Sequence, residues 1–429
     1  MTTKRRIAVL GLVGALVMAL LAVTGPAQAT GSSERTYRVT VENLTEGQLL
    51  TPTVAATHER WFQLFRPGHP ASNGVQQLAE NGGVPVLVGE LGANEKVGDV
   101  AVIGAAPIAP GDSASALITS SSSNRRLSLA GMLICTNDGF AGLSSIRLPG
   151  AYGREKVVHG RAYDAGTEMN TEVYADLVVP CDGLGQTFDT NPLLAENGVV
   201  HRHAGIQGGA DLVPAVHGWD DPVVKVTIER VRTFEVTVEN LTSGQLLTPT
   251  VLATHARRNG IFRPGRDASD GLQQLAENGG VPVFVAELEA RRAIGTVAVI
   301  GAGPIAPGSS ATATVVTSDL LPKASLAGML ICTNDGFGGV NSMRLPRWIG
   351  QTRTVTGAAY DAGTEMNTED YADLVVPCDG LGQTFDTNPL LAENGVVHRH
   401  AGIQGGADLV PAVHGWDDPV VRVTITRTG

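Results

Sequence analysis

TYRVTVENL at residues 36–44 returns as TFEVTVENL at residues 233–241. In the first copy Tyr37, Val39 and Val41 alternate with Arg38, Thr40 and Glu42, the period of a strand with one face buried and one face wet. Every later landmark recurs at the same offset of 197 residues: Cys135 maps to Cys332, Asp164 to Asp361, His201 to His398 and Trp219 to Trp416. A period this long is a whole domain and not a solenoid repeat. The chain therefore reads as two copies of one unit, residues 30–230 and 231–429, and any site in one copy is expected in both.

Further β-rich runs lie at residues 50–55, 98–103, 114–119, 127–135, 156–163, 174–179 and 223–229, with Gly, Pro, Asn and Asp between them. Residues 71–80 (ASNGVQQLAE) predict a short helix with Ser72 as its cap. About eight strands per copy without alternating βα units predict an all-β fold, an antiparallel β-sandwich with long loops in each copy. The last strand of copy one runs within a few residues into the first of copy two, with no Gly/Ser-rich or Pro-rich linker, so the copies are expected to form a semi-rigid pair.

The first residues indicate export. Lys4, Arg5 and Arg6 precede an apolar run at residues 7–23, and Ala27-Gln28-Ala29 supplies a small-x-small cleavage pattern, so residues 1–29 read as a signal peptide. No later segment is apolar enough to span a bilayer, and a secreted or extracellular location is expected. Beyond residue 29 there are 28 basic against 42 acidic residues, a net of −14, which argues against nucleic acid or an anionic membrane as partner. Cysteines come two per copy, Cys135 with Cys181 and Cys332 with Cys378. An oxidising compartment and an even count favour one disulfide in each copy, and the absence of CxxC spacing disfavours zinc.

Two acidic loops follow strands in each copy: TNDGF at residues 136–140 and YDAGTE at residues 163–168. Loops that leave adjacent strands at one end of a sandwich converge, so Asp138, Asp164 and Glu168 could share a hard cation such as calcium, which takes six to eight oxygen ligands. The other reading is that Asp138 and Asp164 only make turns beside glycine. The HxH pairs, His201 with His203 and His398 with His400, could hold a transition metal on one strand face. No third ligand is fixed by the sequence, and loop hydrogen bonding is the favoured reading. His58 and His255 read as structural, and no GxSxG elbow or other motif places a nucleophile.

The order VTVENLT, LSLAGMLICTNDGF, AYDAGTE and GVVHRHAGIQG resembles the spondin domain, the N-terminal module of F-spondin and mindin that also occurs in secreted bacterial proteins. The resemblance covers nearly all of each copy. It implies a C2-like β-sandwich and one calcium ion per domain, held by Asp138, Asp164 and Glu168 and by Asp335, Asp361 and Glu365. Glu168 and Glu365 stand where the animal proteins have Asp. The thrombospondin repeats of F-spondin and mindin are absent, so their partners do not transfer.

The expectation is a secreted, non-enzymatic calcium-binding protein of two spondin domains that binds or adheres to an extracellular or envelope ligand, glycan or protein. The alternatives are a structural envelope protein and a metal-dependent hydrolase using the HxH pairs. The copies differ at a few places: Glu59-Arg60-Trp61-Phe62 stands against Ala256-Arg257-Arg258-Asn259, residues 120–126 against 317–323, and Trp348 against Ala151 with Tyr152 beside it. These loops are candidates for different partners.

Overall fold

A computed structural model describes residues 34–179, 181, 191–256, 260–376, 378 and 388–429. The signal peptide expected at residues 1–29 lies outside the described residues. In copy one the strands are β1 (Arg35–Asn43), β2 (Thr53–His58), β3 (Val97–Ile103), β4 (Ser113–Ser120), β5 (Arg126–Met132), β6 (Gly139–Arg147), β7 (Glu155–Asp164), β8 (His201–Arg202) and β9 (Val224–Asn240). Helices α1 (Asn73–Asn81) and α2 (Val84–Gly92) follow β2, and the short α3 (Pro214–His217) precedes β9. Copy two repeats this with β10 (Thr250–His255), α4 (Asp270–Asn278), α5 (Val281–Ala290), β11 (Ile294–Ile300), β12 (Ser310–Thr317), β13 (Lys323–Met329), β14 (Gly336–Arg344), β15 (Thr352–Asp361), β16 (His398–Arg399), α6 (Pro411–His414) and β17 (Val421–Arg427).

All strand pairings among the described residues are antiparallel. In copy one, β4, β1, β9 and the first half of β7 lie side by side. The rest of β7 passes to a second set ordered β3, β2, β5, β6, β7, β8. Tyr37, Val39, Val41, Val226 and Ile228 from the first set meet Ala55, Leu127, Leu129 and Leu143 from the second in one core. The opposite face of the second set is covered by the helices: Val75, Leu78, Leu87 and Leu91 pack on Val54, Ala56, Ala130 and Phe140. Burial on both faces explains why β2 carries no polar alternation, whereas β1 does.

α1 forms where the sequence places it, with the Ser72 hydroxyl accepting from the Val75 amide and Gly82 in the left-handed conformation closing it. α2 was not expected. Its VPVLV start has strand composition, but Pro85 sits in the first turn, where a missing N–H costs nothing, and the capped end of α1 turns the chain into it. β6 was not expected either, because GFAGLSSIR is glycine-rich. Gly142 is demanded by packing, since a Cβ there would lie 2.7 Å from the Phe65 ring. The strand expected at residues 174–179 is a single 3-10 turn at Tyr174–Asp176 beside the disulfide loop.

The antiparallel β-rich class is as expected, but the strands form one connected network and not two separate sandwiches. β9 is the reason. This 17-residue strand is the last of copy one and the first of copy two, so the 230/231 boundary falls inside it. Its first half pairs with β1 and β7, its second half with β12 and β17. Val224, Val226 and Ile228 enter the first core and Phe234, Val236 and Val238 the second. All six are even-numbered, so both cores lie on the same side of the strand.

Arg230 and Arg232 occupy that side between the cores. The Arg230 guanidinium lies 4.1 Å from the centre of the Tyr152 ring, whose hydroxyl accepts from Arg427 of copy two at 2.8 Å. Arg232 donates to the backbone carbonyl of Asp319 at 2.6 Å and lies 3.4 Å from its carboxylate. Tyr152 and Asp319 correspond to Ile349 and Ser122 in the other copy, so some of the divergence between copies serves their junction.

Candidate metal site

β5 and β6 are joined by a tight turn that carries Asp138. The Thr136 hydroxyl donates to the Leu133 carbonyl (2.6 Å) and accepts from the Gly139 amide (2.9 Å), which closes it. β7 pairs with β6 so that Asp164 faces Gly139, and the Ala165 amide donates to the Asp138 carbonyl (3.1 Å). Gly166 then turns with φ +69°, and a Cβ there would lie 2.6 Å from the backbone of Val199. The DAGTE loop is thus folded back over the TNDGF turn, as the sequence predicts.

All three acids are buried: Asp138 is 0%, Asp164 1% and Glu168 2% exposed. Asp138 Oδ2 accepts from the amides of Thr167 (2.7 Å) and Glu168 (3.1 Å). Asp164 Oδ1 accepts from the Gly166 amide and Oδ2 from the Asn170 side chain, both at 2.7 Å. Asp138 Oδ1 and Glu168 Oε1 are buried with no hydrogen-bond donor, and Asp335 Oδ1 and Glu365 Oε1 repeat this in copy two. Orphaned buried carboxylate oxygens are costly, and a bound proton or a cation relieves them.

The electrostatics agree. Burial, then the charge of Asp164, pushes Asp138 up to about 7, against the pull of the Thr167 and Glu168 amides. Burial, then Glu80 and Asp138, pushes Glu168 up to about 8. Asp335 and Glu365 are likewise raised to about 7 and about 8. Among the described residues, no three His, Cys, Asp or Glu groups converge closely enough to form a ready-made chelate. The donor chemistry fits a hard cation nonetheless, since both orphaned atoms are carboxylate oxygens and calcium also accepts carbonyls and water.

Sequence reasoning missed two acids. Glu80 ends α1 on its buried side, 3% exposed, and adds to the negative potential at Glu168. Glu277 is its counterpart, and its Oε2 is another orphaned buried oxygen. A carboxylate on the apolar stripe near a helix C-terminus, where the helix dipole disfavours it, was the available signal. Glu172 is buried with φ +57°, and its carboxylate takes the amides of Gln207 (2.5 Å), Gly208 (2.7 Å) and Gly209 (2.9 Å). Its carboxylate sits in a backbone nest that orders the IQGG loop.

The histidines border this region. His201 is exposed, with Nδ1 3.0 Å from the Val199 carbonyl and 3.5 Å from Asp164 Oδ1. His203 Nδ1 accepts from the Gly205 amide at 3.0 Å, and its ring lies 5.1 Å from that of Trp219. Burial keeps His203 below the usual imidazole range, against the pull of Asp164. His398 and His400 repeat these contacts. His58 is fully buried between the Ser128 hydroxyl and the Glu59 carbonyl, and His255 between Ser325 and Ala256. The cysteines pair as expected, Cys135 with Cys181 and Cys332 with Cys378.

The Spondin_N family model matches residues 43–176, which include both acidic loops of copy one. Residues 43–176 carry a Spondin_N domain. The match does not extend to copy two, where the repeated sequence and the repeated strands indicate a second copy of the same Spondin_N pattern. No curated protein matches the chain. A Spondin_N domain and two disulfides fit an extracellular setting, and no helix among the described residues is long and apolar enough to cross a membrane.

Proposed function

We propose that this is a secreted, non-enzymatic binding protein in which two C2-like spondin units each hold one calcium ion at an acidic tip. Asp138, Asp164 and Glu168 would hold the ion in copy one, and Asp335, Asp361 and Glu365 in copy two. The ion would supply the positive charge that lets buried carboxylates ionise together. The observation that carries this reading is the pair of buried, donorless carboxylate oxygens, found at the same two positions in both copies. The partner is an extracellular or envelope ligand, glycan or protein, met by the loops that calcium orders.

Tip placement shapes the binding mode. Asp164 lies four residues beyond Gly160, which pairs with Val224 at the start of β9. Asp361 lies four residues beyond Gly357, which pairs with Val421, itself paired with Asn240 at the end of β9. The acidic loops therefore lie beyond opposite ends of β9, on the order of 50 Å apart at the usual rise per residue. The tandem then bridges two partners, and it does not lay both tips on one flat surface.

Calorimetric titration of calcium into the chelator-stripped chain tests the cation. Two sites are expected, with one remaining in an Asp335→Asn, Glu365→Gln variant. A folded chain that takes up no calcium overturns the proposal.

A further inference from the structure

Trp61 is the most conspicuous group that neither the core nor the acidic tips use. It is 76% exposed, yet its base is rigid: the Glu59 amide donates to the Lys96 carbonyl, the Phe62 amide to the Glu59 carbonyl, and Phe62 lies 5.1 Å from the buried His58 ring. The Arg60 guanidinium lies over one face of the indole at 4.5 Å, and the ring is otherwise open. Beside the ring runs an open groove of about 540 Å³ lined by Trp61, Phe62, Gln63, Asn94, Glu95 and Lys96.

Copy two shows that the fold does not need this arrangement. At the same six places it has Arg258, Asn259, Gly260, Arg291, Arg292 and Ala293, while β10, α4, α5 and β11 repeat β2, α1, α2 and β3. An exposed indole that the frame can lose without changing its strands and helices is not there for stability.

We propose that this groove binds a pyranose ring of a neutral glycan, in copy one alone. A pyranose presents a face of C–H groups that stacks on an aromatic ring and a rim of hydroxyls that both donate and accept. The groove matches both parts. The indole offers an aromatic surface, Gln63 and Asn94 both donate and accept, Glu95 accepts and Lys96 donates. The charges of Glu95 and Lys96 cancel, as do those of Glu59 and Arg60 next to the indole, which suits an uncharged sugar. The groove volume falls in the range of small-ligand sites. Trp61 lies just past His58, which pairs with Arg126 at the start of β5, whereas Asp138 follows the end of β5. The groove and the acidic tip are therefore at opposite ends of the sheet, and sugar binding does not depend on calcium.

The test is calorimetric titration of the full chain, in chelator, with cellohexaose, maltohexaose, mannohexaose and chitohexaose, and with decaproline as the competing ligand class. At least one sugar should bind with one site per chain, about tenfold more weakly in Trp61→Ala and unchanged in Trp348→Ala. Trp348 is the control because it is 68% exposed in copy two. An unchanged melting temperature shows that Trp61→Ala folds. No sugar binding at millimolar concentration, equal loss in both tryptophan variants, or binding of decaproline alone would each overturn the proposal. Because the titration is run without calcium, its outcome is separate from that of the calcium reading.

Discussion

In the absence of any cation this protein should become less stable as the pH rises, the reverse of what paired surface carboxylates do. Asp138 titrates at about 7 in the folded chain against an ordinary 3.8, and Glu168 at about 8 against 4.5. A carboxyl whose folded value is raised holds its proton more tightly when folded, so its contribution is fully present below the unfolded value. That contribution is lost as pH climbs through the folded value. The displacements correspond to about 4 and about 5 kcal/mol, and each is set first by the group's own burial, so at least about 4 kcal/mol per copy is the scale of the loss. In EDTA, urea midpoints should therefore fall between pH 5 and pH 9. With calcium the ion replaces the protons and the fall should flatten. Asp138→Asn with Asp335→Asn should raise the midpoint in EDTA at pH 8 and remove the response to calcium. A midpoint that is flat or rises with pH in EDTA would refute the reasoning, because it would mean that these carboxylates ionise in the fold at no cost.

Glu172→Ala strands three backbone donors, and should cost about 2–4 kcal/mol in urea unfolding, with faster amide exchange at Gln207, Gly208 and Gly209. Gly142→Ala puts a methyl against the Phe65 ring and should cost about 1–3 kcal/mol, as should Gly339→Ala against Phe262. Spin labels at His201→Cys and His398→Cys should read a distance on the order of 50 Å or more by pulsed EPR, and a short distance would remove the bridging geometry. The described cysteines are all paired, so the introduced thiols label selectively.

Much of the site was legible because its signals are local. TNDGF and DAGTE each pair an acid with a glycine, and their repetition at a constant offset marks both loops twice. α1 was legible through the Ser72 cap and its apolar spacing. α2 and β6 were not, because their local composition points elsewhere: Val84, Val86 and Val88 favour a strand, and Gly139 and Gly142 disfavour one. Packing reversed both, through the capped turn before Pro85 and the close approach of Phe65 to Gly142. The roles of Glu80 and Glu172 were not legible for a related reason, although the place of Glu80 on the apolar stripe of α1 marked it as unusual. Each lies far along the chain from part of what it affects, Glu80 from Glu168 and Glu172 from the amides it accepts.

The sequence by itself determined the duplication, the β-rich class, the cysteine partners and the short-range design of the acidic turns. These follow from alternation, repetition and residue chemistry within a few positions. Tertiary structure decided which acids lose their hydrogen-bond donors, that one strand serves both copies, and that the two acidic loops lie beyond opposite ends of that strand. Burial and strand register are set by the whole assembly. Whether an oxygen finds a donor depends on residues brought together from opposite ends of a copy, and no local pattern records that.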